Sequence, residues 1–214
     1  MTTTTENLLG IDIGTSNVKA VLVDKFSLAV IGESSKSLGP HLKVTEENLY
    51  ERDVQEVLTC LDECLSALDH SALEKVVSIG VCGQMHGCVL WKSGKSFMIK
   101  DGTLKIDNLP SSTCSTLITW QDGRCSPEFL SSLPKTHQPI QPSTGYGCAT
   151  LAWLHRFKPD LLVQFDRAGT IMDLVVWALC DHHVKEGKQV VMSAQNATSW
   201  GYFNIETLNW ECDM

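Results

Sequence analysis

The chain contains no apolar run long enough to cross a bilayer, which takes about 20 residues as a helix; residues 175–180 form one of its longer apolar stretches. It lacks a basic start followed by an apolar core. The opening Met1-Thr-Thr-Thr-Thr-Glu-Asn7 is polar, so no secretory signal is read there. There is no block of Lys or Arg, and the net charge is −8; nucleic acid and anionic membrane are poor partners for such a surface. Internal repeats, long low-complexity tracts and a Gly/Ser-rich linker are also missing, so nothing divides the 214 residues into separate units. Nine cysteines are present, but their spacings match no common zinc signature. Without an export signal they are expected as free thiols, packed like small hydrophobes, in a reducing cytoplasmic setting. The sequon Asn196-Ala197-Thr198 is then expected to go unused.

What is present is a globular composition, 43% hydrophobic and 20% charged, at a length that supports one full domain. The most informative stretch is residues 8–24. Two apolar runs, 8–13 and 18–23, flank a small polar turn and read as a β-hairpin. Asp12 interrupts the first run, where a carboxylate costs free energy unless a cation or donors meet it. Gly14 permits close approach to the backbone, and Thr15 and Ser16 add hydroxyls beside turn N–H groups that can hold an anion. This combination suits a magnesium-bound nucleotide phosphate. Asp-x-Gly-Thr also occurs simply as a hairpin turn, and these residues alone leave both readings standing.

Further along, residues 28–31 predict a third strand, and 34–51 are polar and turn-rich. Asp53, with Glu56 three residues on, predicts a capping box. The apolar stripe Val54, Val57, Leu58, Leu61, Leu65 and Leu68 predicts a helix packed on a sheet. Residues 76–81 and 89–91 read as strands, 92–115 as an irregular excursion, and 125–133, 149–157 and 173–180 as helices. Pro127 fits a first helical turn and Pro159 a stop. The pattern is α/β.

Three motifs carry chemistry. Gly83-Gln84-Met85-His86-Gly87 follows the strand at 76–81 and presents an amide and an imidazole at a strand end, where ligand sites form. A histidine there also serves to tie down a loop. Thr119-Trp120-Gln121-Asp122-Gly123-Arg124 places an acid and a base two apart, able to bracket a sugar hydroxyl, with Trp120 as an apolar face; the plainer reading is a surface ion pair worth little. Thr144-Gly145-Tyr146-Gly147 imitates part of a dinucleotide fingerprint but lacks the third glycine and a clear preceding strand. Asp173 is expected to cap a helix.

The turn at Asp12–Ser16 resembles the first phosphate motif of the actin-like ATPase superfamily. The Gln-Met-His and Trp-x-Asp-x-Arg segments resemble the sugar site of its FGGY carbohydrate kinase family. The segments at 119–125, 144–150 and 199–204 most resemble the sedoheptulokinase branch. The resemblance implies an actin-like (ribonuclease-H-like) domain with a mixed sheet flanked by helices. It implies ATP and Mg2+ as cofactors and a ketose as substrate. Carried over by position, Asp12 falls near the metal, Gly14, Thr15 and Ser16 contact phosphate, and Gln84, Met85, His86, Trp120, Asp122 and Arg124 line the sugar cleft. Residues 1–7 are expected as a disordered N-terminus and 8–214 as the N-terminal, sugar-binding domain, cut short at its C-terminal end. The ATP-binding domain and the general-base aspartate are expected beyond Met214. Chaperone- and actin-like ATPases lack both sugar motifs. One departure from the resemblance is Ala194, where the family commonly has aspartate.

Overall fold

The computed structural model describes residues 5–42, 48–93, 113–138, 141–180 and 191–211. In chain order the elements that position the site are β1 (Asn7–Ile13), β2 (Asn17–Asp24), β3 (Val30–Ser37), β4 (Glu51–Arg52), α1 (Val54–Ser66), α2 (His70–Leu73), β5 (Val76–Gly83), β6 (Val89–Trp91) and β7 (Leu117–Ile118). There follow α3 (Pro127–Ser131), α4 (Gly147–Phe157), α5 (Pro159–Leu162), β8 (Arg167–Gly169), α6 (Ile171–Cys180), α7 (Ala194–Trp200), β9 (Phe203–Asn204) and β10 (Asn209–Trp210). The main sheet has the order β3-β2-β1-β5. The first three strands form an antiparallel meander, and β5 runs parallel to β1.

Period-two alternation decides which face of the sheet is dry. Leu9, Ile11 and Ile13 of β1 and Val18, Ala20 and Leu22 of β2 point to one side and are buried. There they meet the stripe of α1, Val54, Val57, Leu58, Leu61 and Leu65, with Leu68 just beyond the helix. Each such side chain contributes about 1.5–3 kcal/mol on burial. Ile171, Leu174 and Val175 of α6 join the same core. The opposite face is open. Across it Ser35, Lys19, Asp12 and Cys82 form one registered row, and Glu33, Val21, Gly10 and Gly80 form the next. These rows border a concavity of about 800 Å3.

Several expectations are corrected. The third strand spans Val30–Ser37, because pairing with β2 outweighs its polar composition. The chain reaches it through a turn in which the Asp24 carboxylate accepts from the N–H groups of Phe26 and Ser27, and Leu28 takes a left-handed φ of 59°. Asn7, expected in a disordered terminus, opens β1 and is buried, donating to the Ala72 carbonyl. Asp53 caps α1 through the Gln55 N–H, while Glu56 does not close a box; its carboxylate accepts from the Gly39 N–H instead. Pro159 both ends α4 and opens α5. The helix expected from residue 125 begins at Pro127 behind a Ser126 cap. Asp173 is not a cap but the third residue of α6. It accepts from the N–H and hydroxyl of Thr170, whose oxygen in turn accepts from the Asp173 N–H, a reciprocal capping box. Most of the irregular excursion expected at 92–115 lies outside the described residues.

Among the described residues no helix is long and apolar enough to cross a membrane. The eight described cysteines are free thiols. Cys64, Cys88, Cys114 and Cys125 are buried, but Cys82 and Cys180 are exposed, which corrects the expectation of general burial. Burial pushes the Cys114, Cys125 and Cys148 thiols up to about 12, leaving almost no thiolate at neutral pH. Among the described cysteines, brief alkylation of the native protein at pH 8 should therefore modify Cys180 first. Cys82, whose thiol is pushed up by burial and by Asp12, should follow more slowly. The four buried cysteines should react only after unfolding, as peptide mass spectrometry would record.

Candidate functional site

The turn at residues 14–16 joins β1 to β2, and its carbonyls are all engaged by the protein. The Gly14 oxygen accepts from Gln84 Nε2 at 3.4 Å, the Thr15 oxygen from Arg52 Nη2 at 3.0 Å and the Ser16 oxygen from the Leu38 N–H at 2.8 Å. Gly14 N–H closes the turn onto the Asn17 oxygen at 2.9 Å. In a trans peptide the C=O and the next N–H point in opposite directions. Holding the Gly14 and Thr15 carbonyls back thus aims the N–H groups of Thr15 and Ser16 outward. Neither has a protein partner among the described residues. The result is a small anion nest.

Gly83 is what brings the first motif to this turn. A Cβ there would lie 2.4 Å from the Ile13 oxygen, so only glycine lets β5 close on the end of β1. The next residue, Gln84, then donates its N–H to Ile13 O at 2.9 Å and buries its side chain. Gln84 Oε1 is buried without a partner among the described residues, an acceptor open to a ligand hydroxyl. His86 takes a left-handed φ of 72° and stacks on Tyr146, with ring centroids 4.5 Å apart and planes 8° from parallel. Its Nδ1 lies 2.7 Å from the Ser199 carbonyl. A carbonyl only accepts, so Nδ1 carries the proton and Nε2 of the neutral ring is an acceptor. Met85 Sδ accepts from Gln195 Nε2 at 3.7 Å. The first motif is thereby braced by the third and by α7.

The second motif divides into an exposed part and a buried one. Trp120 is 45% exposed, and its Nε1 donates to the Thr15 hydroxyl at 3.0 Å. Since that oxygen accepts from the indole, its own hydrogen is left to point at a ligand. Asp122 is 1% exposed, and its carboxylate accepts from the Tyr50 N–H, the Arg124 N–H and the Arg124 guanidinium. Arg124 Nη2 also donates to Glu51 at 2.6 Å, and the guanidinium lies over the Trp153 ring. Burial works against the Arg124 charge, but the hydrogen bonds it donates to Asp122 and Glu51 outweigh it and raise its pKa. The expectation that Asp122 and Arg124 bracket a sugar hydroxyl is corrected on geometry. They bracket each other, and with Glu51 they fix the loop that carries Trp120.

Asp12 stands apart from these groups. It lies on the open face, paired in register with Lys19 and Cys82, where it borders the concavity. A lone carboxylate suits Mg2+, which keeps several waters and needs only one or two protein ligands. The sequon asparagine is used inside the fold: Asn196 is buried and donates to Asp173 and Thr170. Ala194, at the departure from the family pattern, is the first residue of α7 behind the Ser193 cap. Sequence reasoning gave no role to Glu51 or Arg52, whose only local signal was a charged pair directly before the Asp53 cap; Tyr146 and Ser199 lie in segments the resemblance singled out, but no individual role was assigned to them.

The profile of the FGGY family of carbohydrate kinases, N-terminal domain, matches residues 7–214. The chain belongs to this family. It is 42% identical to sedoheptulokinase of Homo sapiens over 214 residues, covering 96% of this chain and 44% of that protein. Xylulose kinase of Escherichia coli (strain K12) is 27% identical over 169 residues, covering 74% of this chain and 30% of that one. The crystal structure of Plasmodium falciparum glycerol kinase with ADP superposes with a TM-score of 0.70 at 19% identity, covering 97% of this chain and 39% of that one; it shows the shared actin-like fold. The chain spans less than half the length of these relatives.

Proposed function

We propose that this chain is the sugar-binding half of an ATP-dependent cytoplasmic kinase that phosphorylates a ketose, with sedoheptulose converted to sedoheptulose 7-phosphate. The observation that carries this reading is the turn itself: its carbonyls are tied back, its N–H groups are aimed outward, and residues from both sugar motifs touch it. The 42% identity to human sedoheptulokinase, against 27% to a xylulose kinase, favours the seven-carbon sugar. ATP and Mg2+, when bound, supply the phosphoryl group and the charge neutralisation its transfer needs. Asp12 would hold the metal, and the turn N–H groups with the Thr15 and Ser16 hydroxyls would receive phosphate oxygens. Gln84 Oε1 and His86 Nε2 accept from sugar hydroxyls, while Met85 and the exposed face of Trp120 cover the carbon skeleton.

Residues 8–214 then form the sugar-binding domain, and the adenosine-binding loops and general-base aspartate belong to the length of the relatives that this chain does not span. The isolated chain should bind ketose and turn over little or none. An ADP-release assay with sedoheptulose should stay at background; robust turnover would overturn that part. Calorimetry should give heat with sedoheptulose in preference to xylulose, and His86→Ala should weaken binding about tenfold, the scale of one buried hydrogen bond lost. No heat in either protein would remove the sugar site. ATP turnover indifferent to every sugar would point instead to a chaperone- or actin-like ATPase.

A further inference from the structure

We propose that Arg52 is a positioning residue for the phosphate turn, setting the direction of the Ser16 N–H and supplying positive potential behind it; this rests on the reading of that turn as a phosphate site. Arg52 is 3% exposed, and a buried charge is costly unless its partners compensate. Its nearest carboxylate, Glu56, is 3.8 Å away. The guanidinium is committed instead to two backbone carbonyls, Gly39 O at 2.6 Å and Thr15 O at 3.0 Å. Glu56 accepts from the Gly39 N–H at 2.6 Å, so the Gly39 backbone is gripped at both ends. A residue at Gly39 with a Cβ would meet that carboxylate at 2.7 Å, which keeps the clamp tight.

The Thr15 carbonyl and the Ser16 N–H belong to one planar trans peptide. Drawing the carbonyl toward Arg52 therefore drives the N–H the other way, toward an incoming anion. Arginine brings a positive charge to this position. Glu56 at 3.8 Å offsets part of that charge, and the remainder adds to the attraction felt at the turn. The placement comes from β4. Neighbouring strand residues face opposite sides, so Glu51 reaches Arg124 under the Trp120 loop while Arg52 reaches the phosphate turn. The dipeptide fixes the two parts of the site against each other.

The test is calorimetry on this chain with magnesium pyrophosphate and, separately, with sedoheptulose. Arg52→Gln should lower pyrophosphate affinity about tenfold while sedoheptulose affinity stays within about twofold. Arg52→Lys keeps the charge without the fork and should fall between the two proteins. Should Arg52→Gln fail to fold, Arg52→Lys decides alone by the same selective loss. Unchanged pyrophosphate affinity overturns the inference. So does a parallel fall for both ligands with a lowered melting temperature, because Arg52 would then be only structural. A wild-type chain that binds sedoheptulose but not pyrophosphate removes the phosphate reading, and this inference with it.

Discussion

Arg124→Ala is expected to destabilise the folded chain by about 3–5 kcal/mol, the scale measured when one member of a buried ion pair is removed. Asp122 would lose the two hydrogen bonds made to it by the guanidinium and keep only the N–H groups of Tyr50 and residue 124. Glu51 would lose its only cationic partner among the described residues and keep the Thr116 hydroxyl. Two carboxylates, Asp122 buried and Glu51 partly so, would then be left with too few donors. Urea denaturation should show the loss as a lowered midpoint at unchanged slope. A triple variant, Glu51→Gln with Asp122→Asn and Arg124→Met, should cost less than Arg124→Ala alone, since it leaves no uncompensated charge. If the single substitution proved the milder, the three groups would not be acting as one buried network.

The second large effect belongs to Gly145→Ala. Gly145 has φ +81°, and a Cβ there would sit 2.1 Å from the Trp120 carbonyl oxygen. The left-handed conformation costs an alanine about 1–2 kcal/mol, and relieving the overlap should add about 1–3 kcal/mol. Both neighbours of the glycine matter to the site. Thr144 donates its hydroxyl to the Asp122 carbonyl, and Tyr146 stacks on His86. Relaxation must therefore displace either the Trp120 loop or the His86 ring, and sedoheptulose binding should weaken along with the melting temperature. Gly80→Ala is the matched control. Nothing lies within 4 Å of its Cβ position, and its effect should stay within about 0.5 kcal/mol. Equal melting temperatures for the two variants would contradict the packing argument.

The parts of the fold that were legible in sequence are those with a local period. The opening hairpin and the stripe of α1 are visible because alternation and helical spacing are written in consecutive residues. β4 is two residues long and pairs with Leu117–Ile118, far along the chain, so no window of sequence contains its reason. The same limit explains Asp122 and Arg124. Their spacing is compatible with an open cleft or a sealed pair. What decides between them is Glu51, 73 residues before Arg124. The turn could be located from Asp12, Gly14 and Thr15, but not the anchoring of its carbonyls, because Arg52, Leu38 and Gln84 come from three other segments. The glycines of Gly83-Gln84-Met85-His86-Gly87 were legible as flexibility, whereas at Gly83 the structure requires proximity to Ile13.

The order of the main sheet has one more consequence. β1 and β2 are its two interior strands, each hydrogen-bonded on both sides, and β3 and β5 are its edges. The turn at residues 14–16 connects the two interior strands. Fraying begins where pairing is one-sided, so the edges open first and this loop is among the last segments to loosen. On the proposed reading, an anion arriving there would find N–H groups already oriented and would have little chain entropy left to remove. The loop has the composition of a flexible connection and the immobility of the sheet's centre, so affinity at the turn depends on the charge it is offered more than on any rearrangement of the protein.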